Sequence, residues 1–387
     1  MNKKTVVMSP GTEMLPLLVP DMPSPQTLMP WLERMHVTKQ YSNFGPLVRE
    51  LEASFADRFE VSTGMLTTVA NATLGLELVM QALNLLPGAR VLVPAFTFVA
   101  SATAVIRAGY SPVLADVDPS TWMLTPAIAR KVCSQMKISA VLAVATFGMP
   151  YDIKEWDEFE RETGIPVVID AAAAYGSQWL GENEGTLVFS LHATKSLPAG
   201  EGGLVVSSRP GLAAKVRELA NFGINLNSRE TLPIGALAGI GTNAKMSEYH
   251  AAIGLASLQQ WDARAEQRRQ LEAELKESLN TATSGRLVWQ ASGPGGALKA
   301  PTLLCLRLPT SQSREVLEKY CIASNICLRR WYQPILSRMD VLAAHCTTLH
   351  VPESISLSNN LVGLPFFLEM NSLQKKRLIE VVGNALS

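Results

Sequence analysis

Six short runs rich in Val, Ile and Leu are bounded by turn residues: residues 89–94 (ARVLVP), 111–118 (SPVLADVD), 139–148 (SAVLAVATFG), 165–174 (IPVVIDAAAA), 186–192 (TLVFSLH) and 202–208 (GGLVVSS). They do not alternate apolar with polar positions. A strand that is apolar on both faces is one covered by helices on both sides. Between the earlier runs the period changes. Residues 73–86 carry Leu76, Val79, Met80, Leu83 and Leu86 at three- and four-residue spacing and stop at Pro87-Gly88, and residues 153–164 end in Gly164; both read as helices.

Strands alternating with helices over about residues 65–208 predict an α/β fold built on a mostly parallel, doubly wound sheet. A charged amphipathic helix over 262–279 follows, and beyond it the texture changes to Ser/Gly/Pro turns and short strands such as residues 300–309. The expected organisation is an N-terminal arm over 1–40, a large domain over 41–261 and a smaller C-terminal α+β domain over 262–387. No internal repeat or low-complexity segment interrupts it.

Composition narrows the function. The 34 Lys and Arg residues balance 34 Asp and Glu residues, so no net field draws in nucleic acid or an anionic membrane. Cysteines at 133, 305, 321, 327 and 346 form no C-x-x-C pair, which points to reduced thiols rather than a disulfide framework or a zinc ribbon. The opening residues lack an uninterrupted apolar segment and residues 140–145 are far too short to span a bilayer, so a cytoplasmic, soluble protein is expected.

In an open parallel sheet, ligands bind beyond the C-terminal ends of the strands, and four features fall there. Asp170 ends an apolar run, where an ionised carboxylate is costly unless it meets a cation. Ser190 is followed five residues later by Lys195, Phe96 and Phe98 follow another run, and Asn71, Ala72 and Thr73 open a helix whose free N–H groups make an anion site. Singly, Asp170 reads equally as a cap or ion-pair partner, Ser190 as a strand serine, Phe98 as core and Thr73 as an N-cap. Together, a carboxylate, a lysine, a hydroxyl, an aromatic face and an anion site suit a flat cationic heteroaromatic bearing a phosphate, as pyridoxal phosphate is.

These residues resemble the nucleotide-sugar aminotransferases of the DegT/DnrJ/StrS group, pyridoxal phosphate enzymes of fold type I. The resemblance runs in consistent order through residues 42–59 (SNFGPLVRELEASFADRF), VPAFTFVASATAVIRAGYSPVLADVDPSTWMLTP, VVIDAAAAYG, FSLHATKSLPAGEGG and residues 241–269, and returns in LRRWYQPI (328–335) and LPFF (364–367). It implies that Lys195 is the Schiff-base lysine and general acid/base and that Asp170 pairs with the pyridinium nitrogen. Ser190 with the backbone of Ala72 and Thr73 would hold the phosphate, and Phe98 would stack on the ring. Asn243 matches the asparagine that reaches the neighbouring subunit's cofactor, which implies a homodimer with shared active sites.

Two positions depart from the group's pattern. Ala173 stands where a Gln or His usually touches the cofactor's phenolic oxygen, and the helix start reads Ala72-Thr73 rather than Gly-Thr. The reaction implied moves an amino group from L-glutamate to a nucleotide-linked keto sugar, with a dTDP-4-keto-6-deoxyhexose first and a 3-keto sugar or another nucleotide as alternatives. Substrate contacts are expected from Tyr41, Asn43, His192, Arg329, Arg330 and Tyr332, with a plain surface pair as the other reading of the two arginines. Ala173 keeps a second class open, a non-catalytic relative that retains the cofactor for binding or regulation. No metal is expected: GIGTNA (239–244) lacks the preceding strand of a dinucleotide site, and HCTTLH (345–350) lacks a fourth ligand.

Overall fold

The structure is a computed structural model and describes residues 13–181, 184–226, 232–292 and 300–386. Helices α1 (Pro25–Thr38) and α2 (Pro46–Phe59) lead into an alternation of strands and helices: β1 (Leu66–Val69), α3 (Ala72–Ala82), β2 (Arg90–Pro94), α4 (Val99–Arg107), β3 (Ser111–Ala115), α5 (Pro126–Cys133), β4 (Ala140–Val144), α6 (Ile153–Thr163) and β5 (Val167–Asp170). Strands β6 (Thr186–Ser190) and β7 (Gly203–Ser207), helix α7 (Leu212–Ala220) and the long α8 (Glu248–Ala282) complete this part. The remainder holds β8 (Val288–Trp289), β9 (Leu304–Arg307), α9 (Ser311–Ala323), α10 (Asp340–Ala343), β10 (Thr347–Thr348), α11 (Pro352–Asn360), β11 (Leu361–Leu364) and α12 (Ser372–Leu386).

The main sheet has eight strands in the order β1-β7-β6-β5-β4-β2-β3-β10. Strand β7 runs antiparallel to both its neighbours and the other pairings are parallel, so the expected mostly parallel sheet is present. Both faces are buried for the reason read from the sequence. Val168, Val188 and Val205 join α3, α4 and α7 in one apolar core, while Ile169, Leu187 and Phe189 join α2, α6 and α8 in the other. A three-stranded antiparallel sheet, ordered β11-β9-β8, packs with the end of α8, α9 and α12 around a third core that includes Leu275, Leu306 and Leu378.

Element ends differ from the sequence pattern for local reasons. Helix α3 stops at Ala82 rather than at residue 86, because Asn84 takes a left-handed conformation (φ 49°) and the Leu85 N–H donates to the Tyr110 hydroxyl instead of to a helical carbonyl. The expected seam at residue 262 falls inside the continuous α8, and the polar β10 from the C-terminal third adds itself to the main sheet beside β3. The described part of the arm is bound along its length. Leu15 N–H donates to Asn325 O, and Leu17 O accepts from Phe366 N–H. Asp21 lies within ion-pair distance of Arg264 and Arg268 on α8.

Candidate active site

The ends of β1, β2, β4, β5 and β6 open onto one cleft of about 700 Å³. Its lining includes Ala72, Thr73, Phe98, Asp170, Ala173, Ser190, His192, Lys195, Arg329 and Tyr332, which were all expected at the site or singled out as departures. The topology explains the convergence. These five strands run in the same direction, β1 through its antiparallel neighbour β7, so their C-terminal ends all lie on one edge of the sheet.

Asp170, the last residue of β5, is buried. One carboxylate oxygen accepts from the Ser101 hydroxyl at 2.7 Å and the other from the Ala172 N–H at 3.1 Å. Burial pushes its carboxyl above the usual carboxylate range, against the pull of these two donors and of the Lys195 ammonium. Lys195 lies in a tight turn beyond β6, closed by its own N–H to His192 O at 2.9 Å and by Ala199 N–H to Leu191 O at 2.7 Å. Burial pulls its amine below the ordinary lysine range, and Asp170 opposes that shift.

The start of α3 supplies a second half to the cleft. Asn71 is the cap, its side chain accepting from Leu74 N–H at 2.9 Å, so Thr73 is left free of that task. The N–H groups of Ala72 and Thr73, which have no acceptor within the helix, are part of the cleft wall with the Ser190 hydroxyl nearby on β6. Phe98 stands at the N-cap of α4 and is 52% exposed, in contrast to Phe96, which is buried against Phe147 and Tyr332. His192 is oriented from behind: its Nδ1 accepts the Thr194 N–H at 3.2 Å and lies 2.9 Å from the Thr194 hydroxyl, which leaves Nε2 pointing to Glu201 at 3.7 Å.

The structure separates the two arginines. The Arg329 guanidinium stands at the cleft, 4.2 Å over the Trp331 ring, whereas Arg330 is held outside by Glu318 through two contacts of 2.6 Å. Tyr41, Asn43 and Asn243 also lie outside this chain's own cleft. Tyr41 stacks on Tyr249, Asn43 sits at a loop with φ of 60°, and Asn243 accepts from Lys245 at 2.7 Å. Sequence reasoning missed Thr97, Ser101, Phe147, Thr194, Glu201 and Trp331. Ser101 carried no signal in the sequence, because it lies inside α4 and reads as an ordinary helix serine.

The profile of the DegT/DnrJ/EryC1/StrS aminotransferase family matches residues 27–383. The chain belongs to this family. It is therefore a pyridoxal-phosphate-dependent aminotransferase. A putative pyridoxal-phosphate-dependent aminotransferase from Bacillus cereus superposes with a TM-score of 0.85 at 26% identity, covering 97% of this chain and 100% of that one. DesI, solved in the presence of its TDP-sugar product, superposes with a TM-score of 0.84 at 28% identity, covering 97% and 94%. The GDP-perosamine synthase of Caulobacter vibrioides is 34% identical over 229 residues, 58% of this chain and 60% of that protein.

The aminotransferase's cleft fits its cofactor. Asp170 is a buried carboxylate that needs a cation, Lys195 is an amine drawn toward neutrality, and the helix start beside Ser190 is a place for a phosphate. Ala173, on the cleft wall, has no polar side-chain atom to offer a ligand. Among the described residues, no helix is long and apolar enough to cross a membrane.

Proposed function

We propose that this aminotransferase moves an amino group from L-glutamate to the keto carbon of a nucleotide-linked keto-deoxy sugar, with a dTDP-4-keto-6-deoxyhexose as first choice and a 4-amino sugar as product. The observation that carries the reading is the Lys195 amine and the Asp170 carboxylate together in one largely apolar cleft, each shifted by burial and each drawn by the other. When bound, pyridoxal phosphate supplies an electron sink for the donor's α-carbon and carries nitrogen between the two half-reactions. Asp170 holds the ring nitrogen protonated. Ser190 and the N–H groups of Ala72 and Thr73 hold the phosphate, and Phe98 covers one ring face.

Lys195 Nζ does the proton work. As a neutral amine it would take the proton from the α-carbon of glutamate and hand it on, with the glutamate nitrogen passing to the cofactor and water supplying the keto oxygen of the 2-oxoglutarate released. In the second half-reaction it delivers a proton to the sugar carbon that gains the nitrogen. Burial supports this role by lowering the amine's affinity for a resting proton. Arg329, at the cleft and over Trp331, meets a substrate anion, either the donor's carboxylate or the sugar's pyrophosphate.

The same reading makes the functional unit a homodimer. Asn243 is outside its own cleft, in a segment bridged to residues 221–224 that carries the exposed Phe222, Leu237 and Ile240 (87%), apolar side chains that a second copy would cover. Asn243 would then reach the partner's cofactor, and Tyr41 and Asn43 the partner's substrate. The five free cysteines accord with a cytoplasmic setting. A panel of dTDP- and GDP-linked 4-keto and 3-keto sugars incubated with glutamate tests the assignment. One sugar should gain the mass change of a carbonyl oxygen replaced by an amino group. Loss of the cofactor's yellow colour on adding glutamate separates the enzyme from a cofactor-retaining binding protein, the alternative that Ala173 raises.

A further inference from the structure

The Asp170 carboxylate is held by a hydroxyl chain that the reaction itself does not call for. Ser101 Oγ lies 2.7 Å from Asp170 Oδ2, and Thr97 Oγ1 lies 3.1 Å from Ser101 Oγ. Thr97, Ser101 and Asp170 are 1%, 0% and 5% exposed. An ionised carboxylate can only accept, so the Ser101 hydroxyl must donate to it, which leaves the serine oxygen to accept from Thr97. The direction of both hydrogen bonds is thereby fixed, Thr97 to Ser101 to Asp170, and each polarises the next among buried side chains. Ser101 also sits in the first turn of α4, where free N–H groups add positive potential next to the carboxylate.

We propose that Ser101, with Thr97 behind it, is a positioning residue that keeps Asp170 ionised and oriented for the ring nitrogen of pyridoxal phosphate. The proposal rests on the reading of Asp170 as the ring-nitrogen partner and adds to it a dependence on a hydroxyl 69 residues away in sequence. Other groups face the carboxylate: Lys195 from the turn after β6, Tyr151 from the segment after β4 and Tyr332 from the C-terminal part. Burial pushes both tyrosine hydroxyls far above their usual range, so they stay neutral, and Lys195 is the one charge among these that opposes protonation of Asp170.

The test titrates apoprotein with pyridoxal phosphate by fluorescence quenching from acid to neutral pH, for wild type, Ser101→Ala, Thr97→Val and Asp170→Asn. Loss of one hydrogen bond to a charged group predicts roughly ten-fold weaker binding in Ser101→Ala. The acid limb of binding should also move to higher pH, because a carboxylate without its donor protonates more readily. Thr97→Val should move both readouts the same way by about two- to three-fold, as expected for an outer link in the chain. A Ser101→Ala protein with unmoved limb, whether or not its apo melting temperature falls, would assign the hydroxyl a purely structural role and overturn the proposal, provided Asp170→Asn loses binding. If Asp170→Asn binds like wild type, the ring-nitrogen reading itself fails. Should Ser101→Ala not fold, Thr97→Val decides alone: a displaced limb with an unchanged melt supports the chain, and an undisplaced limb refutes it.

Discussion

Gly203 lies against the peptide of Asn71 so tightly that a Cβ on it would stand 2.8 Å from the Asn71 carbonyl carbon and 2.9 Å from Ala72 N. Strand β7 therefore sets the position of the α3 start, whose N–H groups are proposed to hold the phosphate. Gly203→Ala must push that helix start away, at a cost of about 1–3 kcal/mol in stability, and should weaken cofactor binding several-fold. Thermal melts of the apoprotein and cofactor titration check this; a variant that melts and binds like wild type would dissociate β7 from the phosphate site.

Arg329 and Arg330 are neighbours with opposite fates. Arg329→Ala should raise KM for one substrate by about ten-fold or more, the range of a lost hydrogen bond to a charge, with the cofactor's dissociation constant unchanged. Arg330→Ala should leave KM within about two-fold, because its guanidinium is already spent on Glu318 at an exposed site. Steady-state kinetics for both substrates will show which side chain matters, and the reverse order would refute the assignment.

The buried amine makes the apoprotein pH-sensitive in a defined direction. Lys195 has a folded-state pKa below the ordinary value of 10.5. Between these two values the unfolded chain binds the extra proton, so stability rises with pH there. Below the folded value the cost of the buried charge is present in full. Apo Lys195→Met should consequently melt several degrees above apo wild type near neutral pH, with the gap closing as pH climbs past 10.5. A constant gap across pH would show that the substitution acts through packing rather than charge.

Shared active sites predict that a residue outside the cleft controls what binds within it. Sedimentation should give about twice the 41.9 kDa of one chain, and Asn243→Ala should loosen the cofactor several-fold in the dimer. A monomer, or a dimer whose cofactor affinity ignores Asn243, would remove the interface from the site.

The sheet was legible because strands covered on both faces cannot hide: every run of apolar residues from 89 to 208 became a strand of the main sheet. The same logic exposed Asp170 and Ser190, the last residues of β5 and β6, with Lys195 in the turn five residues beyond Ser190. Ser101 was not legible, since in FTFVASATAV it looks like a helix serine and only the parallel pairing of β2, β4 and β5 carries it to Asp170. Strand β10 was hidden for a different reason. Two polar, exposed threonines carry no hydrophobic pattern, and they pair with β3 because the surrounding chain delivers them there. Tyr41, Asn43 and Asn243 carry a signal that one chain cannot express, because the site they are proposed to serve belongs to a second copy.

The central claim is that Lys195 is the amine that holds pyridoxal phosphate. Borohydride reduction of the loaded enzyme, followed by peptide mapping, tests it most directly. The label should be found on the peptide containing Lys195, with close to one group per chain, and be absent from Lys195→Ala. Label on another lysine, or none in a protein that still turns over, would contradict the account.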